Sequence, residues 1–252
     1  MLAAERRDHL LETLRRDGKI VAKTVAADLG VSEDSIRRDL RELAAEGLCQ
    51  RVYGGALPVS PALADYSGRQ TVAVAGKQLV ASAAVRLVSP GSTVILDGGT
   101  TALAVARSLP ASLSCTVVTH SPTVAAALVE HPTVDVLILG GKLFKHSAVA
   151  CGAATVEAAQ QVSADVFFLG VTGIHPEAGL TTGDADEAAI KRVLAGQAAE
   201  TYVLGSSEKI GAASPYRVVP LESVAGIITD APPESGTVER LREHVHVIPA
   251  GG

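Results

Sequence analysis

Ser35, Arg37, Arg38 and Arg41 crowd three guanidinium groups and a hydroxyl into seven residues. A guanidinium is always charged, and its planar fork matches a phosphate or the edge of a guanine. A hydroxyl beside it reaches the nucleic-acid backbone. The same residues also suit a solvated helix face, so their meaning rests on the element that carries them.

A second concentration of donors follows the apolar run Thr93–Leu96. It reads Asp97-Gly98-Gly99-Thr100-Thr101. Two glycines let backbone approach an anion closely, and threonine hydroxyls and free N–H groups at a helix start donate to it. The motif is neither a Walker loop nor G-x-G-x-x-G, so it does not indicate a nucleotide. Four further apolar runs end in similar residues: Thr119-His120-Ser121-Pro122, Gly140-Gly141-Lys142, Gly170-Val171-Thr172-Gly173 and Gly205-Ser206-Ser207-Glu208-Lys209. Any one of these is readable as a tight turn. Together they describe a polar strand edge suited to a compact anionic ligand, with His120 either donating to it or merely packing beside it.

Catalysis would require a general base, and Asp97, Asp184, Asp186 and Glu187 are the candidates. Asp184 and Glu187 sit where acidic residues ordinarily complement a helix start, and Glu187 and Lys191 have ion-pair spacing. No catalytic residue is expected. His244 and His246 share one side of an expected strand without a third ligand, and Cys49, Cys115 and Cys151 show no C-x-x-C spacing. Neither a metal nor a cofactor is expected.

The elements that would position the arginines are compact. Leu10, Leu11 and Leu14 mark an amphipathic helix ending near Asp17-Gly18. A second helix spans about 22–29 and stops at Gly30. Ser32 is an N-cap, with Val31 and Ile36 at staple positions and Glu33 and Asp34 at the positive end of the helix dipole. The third helix runs to about Glu46, with Ile36, Leu40, Leu43 and Gly47 facing inward and the arginines outward. The alternating run Leu48–Tyr53 and the pair Gly54-Gly55 predict a small β-wing. Helix, short helix, glycine turn, Ser-capped arginine helix and wing describe a winged helix-turn-helix that reads DNA through the start of its third helix.

Pro58, Pro61 and the polar stretch to Gln70 predict a linker. A helix over about 71–87 leads into apolar runs at 93–96, 115–118, 134–139, 166–171, 202–204, 226–229 and 245–248. Helical segments at 102–109, 123–129, 154–161 and 185–198 separate several of them. This alternation predicts an α/β domain with a mostly parallel sheet covered on both faces, whose ligand sits at the carboxyl ends of its strands. The expected organisation is a DNA-binding head over 1–57, a linker over 58–70 and an effector-sensing domain over 71–252.

Composition narrows the classes further. Hydrophobic residues make up 47% and aromatics 3% of the 252 residues, so Ala, Val, Leu and Gly must do the packing. No apolar run is long enough to span a membrane, and no apolar leader opens the chain. With three widely spaced cysteines, this reads as a cytoplasmic protein holding reduced thiols. Residues 1–57 carry ten Lys/Arg and ten Asp/Glu, so the whole net charge of −5 lies in the remainder. A head of zero net charge must bind through a local basic face. Two or more heads on a homo-oligomer, a dimer or tetramer, would raise its affinity.

The sequence resembles the DeoR family of bacterial regulators. Ser32-Glu33-Asp34-Ser35-Ile36-Arg37-Arg38-Asp39-Leu40, Leu43, Gly47 and Arg51-Val52-Tyr53-Gly54-Gly55-Ala56 carry the likeness in the head. Arg69, Lys77, Asp97–Thr101, Gly140-Gly141, Gly152, Phe168-Leu169-Gly170, Gly173-Ile174, Gly179–Thr182, Glu187, Lys191 and Lys209 extend it through the second domain. The resemblance implies that Ser35, Arg37, Arg38 and Arg41, with Arg51 and Tyr53 of the wing, contact operator DNA. It implies a sensor domain with a sugar-phosphate-isomerase-like fold that binds phosphorylated sugars or their breakdown products. The strand ends and the resemblance together give the expected effector set as Asp97, Gly98, Gly99, Thr100, Thr101, Thr119, His120, Ser121, Gly140, Gly141, Lys142, Gly152, Thr172, Gly173 and Lys209. The chain departs from the family pattern at His120, which replaces the usual Asn, and at Thr172 and Gly205, which replace frequent Asp. Glu208 is inserted beside Lys209. The expected function is a repressor of carbohydrate-metabolism genes, whose binding to double-stranded operator DNA responds to a small phosphorylated metabolite. The alternative is a sugar-phosphate enzyme or metabolite-binding protein with an incidental N-terminal module.

Overall fold

The computed structural model describes residues 2–251, so residues 1 and 252, the expected outer ends of head and sensor, lie outside the described residues. In the head, α1 (Ala3–Asp17), α2 (Ala22–Leu29) and α3 (Glu33–Ala45) pack with β1 (Ile20–Val21), β2 (Gln50–Val52) and β3 (Gly55–Leu57). The three strands are antiparallel in the order β1-β3-β2. Leu10, Leu14, Val25, Ile36, Leu40 and Leu43 fill the shared core. Ser32 caps α3 by accepting from the Ser35 N–H at 3.3 Å. Gly47 does not face inward. It is exposed beyond the end of α3 at φ +73°, and Asp39 takes the inward position instead, only 2% exposed. Arg6 of α1 stabilises that carboxylate with two N–H groups, Nη2 at 3.0 Å and Nε.

The expected linker is folded. Ser60 caps a 3-10 turn at Pro61–Leu63, and Asp65 caps α4 (Tyr66–Arg69) by accepting from the Gly68 N–H at 2.8 Å. These residues form a strap laid on the second domain. His146 Nε2 donates to the Leu63 carbonyl at 3.0 Å, and Arg69 Nη2 donates to the His146 carbonyl at 3.0 Å. Lys77 of α5 (Val74–Val85) donates to the strap carbonyls of Arg69 and Val72 at 2.6 and 2.5 Å.

Seven strands then form one parallel sheet. They are β4 (Thr93–Leu96), β5 (Cys115–Thr119), β6 (Val134–Ile138), β9 (Ala164–Gly170), β12 (Ala198–Leu204), β14 (Gly226–Thr229) and β15 (Val247–Pro249). Between them fall the hairpin β7 (Lys142–Phe144) and β8 (Val149–Cys151) and the short antiparallel strands β10 (Gly173–His175), β11 (Gly179–Thr182) and β13 (Tyr216–Arg217). The parallel order is β15-β14-β12-β9-β4-β5-β6. Alternation along the strands divides the core. Val94, Leu96 and Phe168 face α5, α6 (Thr100–Ser108) and α7 (Pro122–Leu128). Ile95, Phe167 and Leu169 face α8 (Ala153–Ala159), α9 (Ala185–Gly196) and α10 (Gly236–Arg242).

The seven apolar runs expected as strands supply these seven strands. His244 and His246 are the exception to the reading of the last run. They occupy the turn before β15 rather than a strand, and His244 lies 3.4 Å from Glu222. The chain leaves β4 toward β5 in one direction, while β9 pairs on the other side. That reversal opens a crevice beyond the carboxyl ends of β4 and β9, the usual ligand position on such sheets.

Candidate functional site

The crevice is lined by residues from several separate parts of the second domain and from the strap. Gly98, Gly99, Thr100 and Thr101 come from the end of β4, Gly170, Val171 and Thr172 from the end of β9, and Glu208 and Lys209 from the end of β12. Thr182, Glu187 and Lys191 come from β11 and α9. Ala62, Arg69 and Val72 come from the strap, with Lys77 behind them. They enclose a cavity of about 20 Å³.

Asp97 lies beneath this lining, fully buried. Its Oδ1 accepts from the Gly98 N–H at 2.7 Å and His120 Nε2 at 2.8 Å, and its Oδ2 accepts from the Gly170 N–H at 2.8 Å and Lys191 Nζ at 2.6 Å. One carboxylate therefore ties the ends of β4 and β9 together. Burial would raise its pKa, but the Lys191 ammonium and the His120 bond outweigh burial and hold it well below the usual carboxylate range. Lys191 is bound in turn by Glu187, at 3.3 Å, and against the penalty of burial these carboxylates raise its pKa. Glu187 accepts from Thr182 Oγ1 at 3.0 Å and Ser147 Oγ at 3.3 Å. Asp184, expected at a helix start, caps α9 by accepting from the Glu187 N–H at 2.9 Å.

Above this support the groups are donors. Gly99, at φ +96°, leads into α6 with no side-chain cap, so the first N–H groups of that helix point into the crevice unpaired within it. Lys209 Nζ donates to Thr101 Oγ1 at 3.2 Å and to the Leu204 carbonyl at 2.9 Å. Burial lowers the Lys209 pKa to about 8; neighbouring Lys77, Arg69 and Lys191 deepen the shift against the pull of Glu208. Burial also lowers Arg69 and Lys77. Four cationic side chains and two carboxylates line the cavity, so an anion is the species whose charge complements it.

The structure thus unites six of the fifteen residues expected at the effector, namely Gly98, Gly99, Thr100, Thr101, Thr172 and Lys209. The others stand outside the lining for identifiable reasons. Asp97 is saturated by four donors. His120 is fully buried between Asp97 and the Ala150 carbonyl, 2.8 Å from each, so it packs beneath the crevice. Thr119 Oγ1 accepts from the Ser121 N–H, and Ser121 Oγ bonds the Ala148 carbonyl instead of capping α7. The Gly140 carbonyl accepts from Thr155 Oγ1 of α8 at 2.9 Å, and a Cβ at Gly141 would fall 2.0 Å from the same oxygen. Lys142 and Gly152 line a different hollow with Asp184 and Asp186. Gly173 is a packing glycine, since a Cβ there would meet the Ala212 carbonyl at 2.6 Å. Spacing alone missed Arg69, Lys77, Lys191 and Glu187 as lining groups; they lie far apart in the chain, and an i, i+4 pair gives no sign of being buried.

Two departures from the family pattern acquire physical reasons. A Cβ at Gly205 would stand 2.8 Å from Ile174 Cδ1 and 2.9 Å from Ile227 Cγ2, leaving no room for a longer side chain. Thr172 has committed its hydroxyl to Ser214 Oγ at 2.7 Å.

In the head, Arg37, Arg38 and Arg41 are exposed along the first turns of α3 and Ser35 is half-buried. Arg37 Nη2 pairs with Glu33 at 2.7 Å, while Ser35 Oγ meets Ser32 Oγ at 2.9 Å. Arg38 and Arg41 make no side-chain hydrogen bond among the described residues. Arg51 of β2 and Tyr53 of the β2–β3 turn share with Arg37 a hollow of about 170 Å³ between helix and wing. Of the expected DNA contacts, Arg37, Arg51 and Tyr53 therefore share one hollow, and Arg38 and Arg41 are exposed on the same helix.

The family model described as DeoR-like helix-turn-helix domain matches residues 6–62, and that described as DeoR C terminal sensor domain matches residues 72–231. The HTH-type transcriptional regulator GlpR of Haloferax volcanii is 33% identical over 244 residues, covering 96% of this chain and 95% of that protein. The glycerol-3-phosphate regulon repressor of Escherichia coli is 28% identical over 245 residues, covering 97% of each. Among solved structures, ribose 5-phosphate isomerase A from Methanocaldococcus jannaschii aligns with 53% of this chain and 52% of that one at 19% identity and a TM-score of 0.39, too loose a likeness to fix the fold. No helix of the described residues is long and apolar enough to cross a membrane. With both its parts matched and a relative one-third identical along nearly its full length, the chain belongs to the DeoR family of DNA-binding transcriptional regulators and is not an enzyme.

Proposed function

We propose that this protein is a cytoplasmic repressor of carbohydrate-metabolism genes whose grip on operator DNA is set by a small phosphorylated metabolite. The head over 1–57 lays α3 in the major groove, with Ser35, Arg37, Arg38 and Arg41 on bases and phosphates and Arg51 and Tyr53 of the wing on the adjacent backbone. The crevice of the domain over 71–252 takes the metabolite. Its phosphate lies on the free N–H groups of α6, the Thr100 and Thr101 hydroxyls and Lys209, with Arg69 above. Asp97, Thr119, His120 and Ser121 hold these groups in place from below. A dimer or tetramer brings two heads to one operator.

The observation that carries the effector reading is the convergence of buried Arg69 and Lys209 on the uncapped start of α6, with Lys77 behind them. Buried cations are costly unless something negative meets them. A phosphate also explains how the signal leaves the site. Ala62, Arg69 and Val72 of the covering strap line the crevice, so a phosphate ester bound there touches the strap directly. That strap, over 58–72, is the covalent connection between crevice and head. Effector binding and DNA binding are then linked through two positions of the strap, each ligand favouring one.

Fluorescence anisotropy on DNA from upstream of its own gene tests both halves. Arg37→Ala with Arg38→Ala is expected to abolish preference for that DNA. Lys77→Met frees the strap carbonyls, and it is expected to leave DNA binding intact while blunting its response to sugar phosphates. Wild-type protein with no sequence preference would refute the regulator reading. A panel of sugar phosphates without effect on binding or melting temperature would refute the effector reading.

A further inference from the structure

We infer that Glu208 reads a hydroxyl group of the effector close to its phosphate, so that this protein responds to hydroxylated phosphate monoesters and discriminates against esters that lack that hydroxyl. The inference rests on the proposal above that the crevice binds a phosphorylated metabolite. Among the described residues three buried side-chain polar atoms lack a hydrogen-bond partner: Tyr66 OH, Arg69 Nε and Glu208 Oε2. Buried polar groups are nearly always paired, so orphans gathered in one place mark a missing partner. Arg69 and Glu208 both line the crevice, and Tyr66 stands three residues before Arg69 in α4.

The two lining orphans ask for opposite chemistry. Arg69 Nε can only donate and calls for an anionic oxygen. Glu208 Oε1 already accepts from Ser206 Oγ at 2.8 Å, but Oε2 accepts from nothing. Lys77 and Lys209 lie near enough to interact with its charge, yet neither donates to that oxygen. A carboxylate oxygen can be satisfied only by a donor. The phosphate group of an ionised monoester offers none and repels the carboxylate, whereas an alcohol O–H supplies the bond. An ammonium would also donate, but Arg69, Lys77, Lys191 and Lys209 already surround the cavity with positive charge. Glu208 directly precedes Lys209, whose ammonium sits on Thr101 Oγ1. The hydroxyl it reads is therefore on a carbon near the phosphate.

Calorimetric titration of the full-length protein with matched esters tests this: glycerol 3-phosphate against propyl phosphate, glucose 6-phosphate against hexyl phosphate, and inorganic phosphate alone. In the wild type the hydroxylated member of at least one pair is expected to bind about tenfold more tightly than its plain partner. Glu208→Ala is expected to erase that ratio without weakening the plain ester. If Glu208→Ala does not fold, Glu208→Gln serves in its place and is expected to shrink the ratio severalfold. An unchanged ratio in the folded variant, or no preference in the wild type, overturns the role of Glu208 while the phosphate reading stands. If no ester and no phosphate binds the wild type, the phosphate reading has failed and this inference falls with it. Lys209→Met separates the two, because it is expected to weaken every probe alike.

Discussion

In the head, Arg37, Arg38 and Arg41 lie exposed on one helix within five residues. In the second domain, Arg69, Lys77, Lys191 and Lys209 are buried and come from α4, α5, α9 and the loop after β12. The head leaves its cations in water, where they keep their charge at little cost and wait for a polyanion. The crevice removes its cations from water, and each must then be compensated by a carboxylate, by carbonyls or by a ligand. Lys191 has Asp97 and Glu187, and Lys77 has two strap carbonyls. Lys209 has a hydroxyl and a carbonyl but no carboxylate within ion-pair range, and its pKa falls accordingly to about 8. A cation stabilised by the fold supports structure, and a cation left under-compensated is poised to bind.

Substitutions that remove compensation should separate these roles most sharply. Lys191→Met strands Asp97 and Glu187 in a dry interior. It should destabilise the second domain by about 3–5 kcal/mol, read by urea unfolding. A loss under about 1 kcal/mol would mean that Lys191 is not what compensates the buried Asp97 and Glu187. The head has one comparable pair, Arg6 with Asp39. Asp39→Ala should destabilise the head by about 2–3 kcal/mol, seen as faster hydrogen exchange in α1 and α3 with the parallel sheet unaffected.

Exposed cations should behave in the opposite way. Arg37→Ala with Arg38→Ala is expected to weaken operator binding by about tenfold or more, to flatten its salt dependence and to leave the melting temperature alone. Between these extremes stands Lys209. Its charged form favours an anion, so affinity is full below about pH 8 and falls as the ammonium loses its proton above it. Sulfate, whose own charge is constant in this range, should bind about tenfold more weakly at pH 9 than at pH 7. The sign for stability is reversed. A lysine with a lowered folded pKa binds fewer protons folded than unfolded, so Lys209 favours folding increasingly as pH rises from about 8 toward its ordinary value. The smallest effect belongs to the surface pair Glu33–Arg37. Glu33→Ala should leave the unfolding midpoint unchanged, which differential scanning calorimetry would check.

The same contrast explains what could be read ahead of the structure. The exposure of Arg37, Arg38 and Arg41 was legible because α3 is amphipathic, and a 3.6-residue period sorts Ile36, Leu40 and Leu43 from the arginines without knowledge of anything distant. Asp39 escaped that sorting because its burial depends on Arg6, thirty-three residues away. The seven parallel strands were legible because strands covered on both faces must be apolar throughout. The three-residue strands β7, β8 and β10 were not, since so short a run carries no period.

The sequence by itself determined that this chain has a Ser-capped arginine helix ahead of an α/β domain, and that Asp97–Thr101 ends a buried strand beside a helix start. These are local properties, set by the spacing of apolar residues and the backbone freedom of glycine. Only the tertiary structure decided that Asp97 and His120 support the crevice instead of lining it, that the linker is a folded strap roofing it, and that Glu208 and Arg69 face it with an atom unpaired. Those outcomes depend on which hydrogen-bond partners arrive from elsewhere in the chain. A residue's type states what it can donate or accept, and the fold determines whether that capacity is already used.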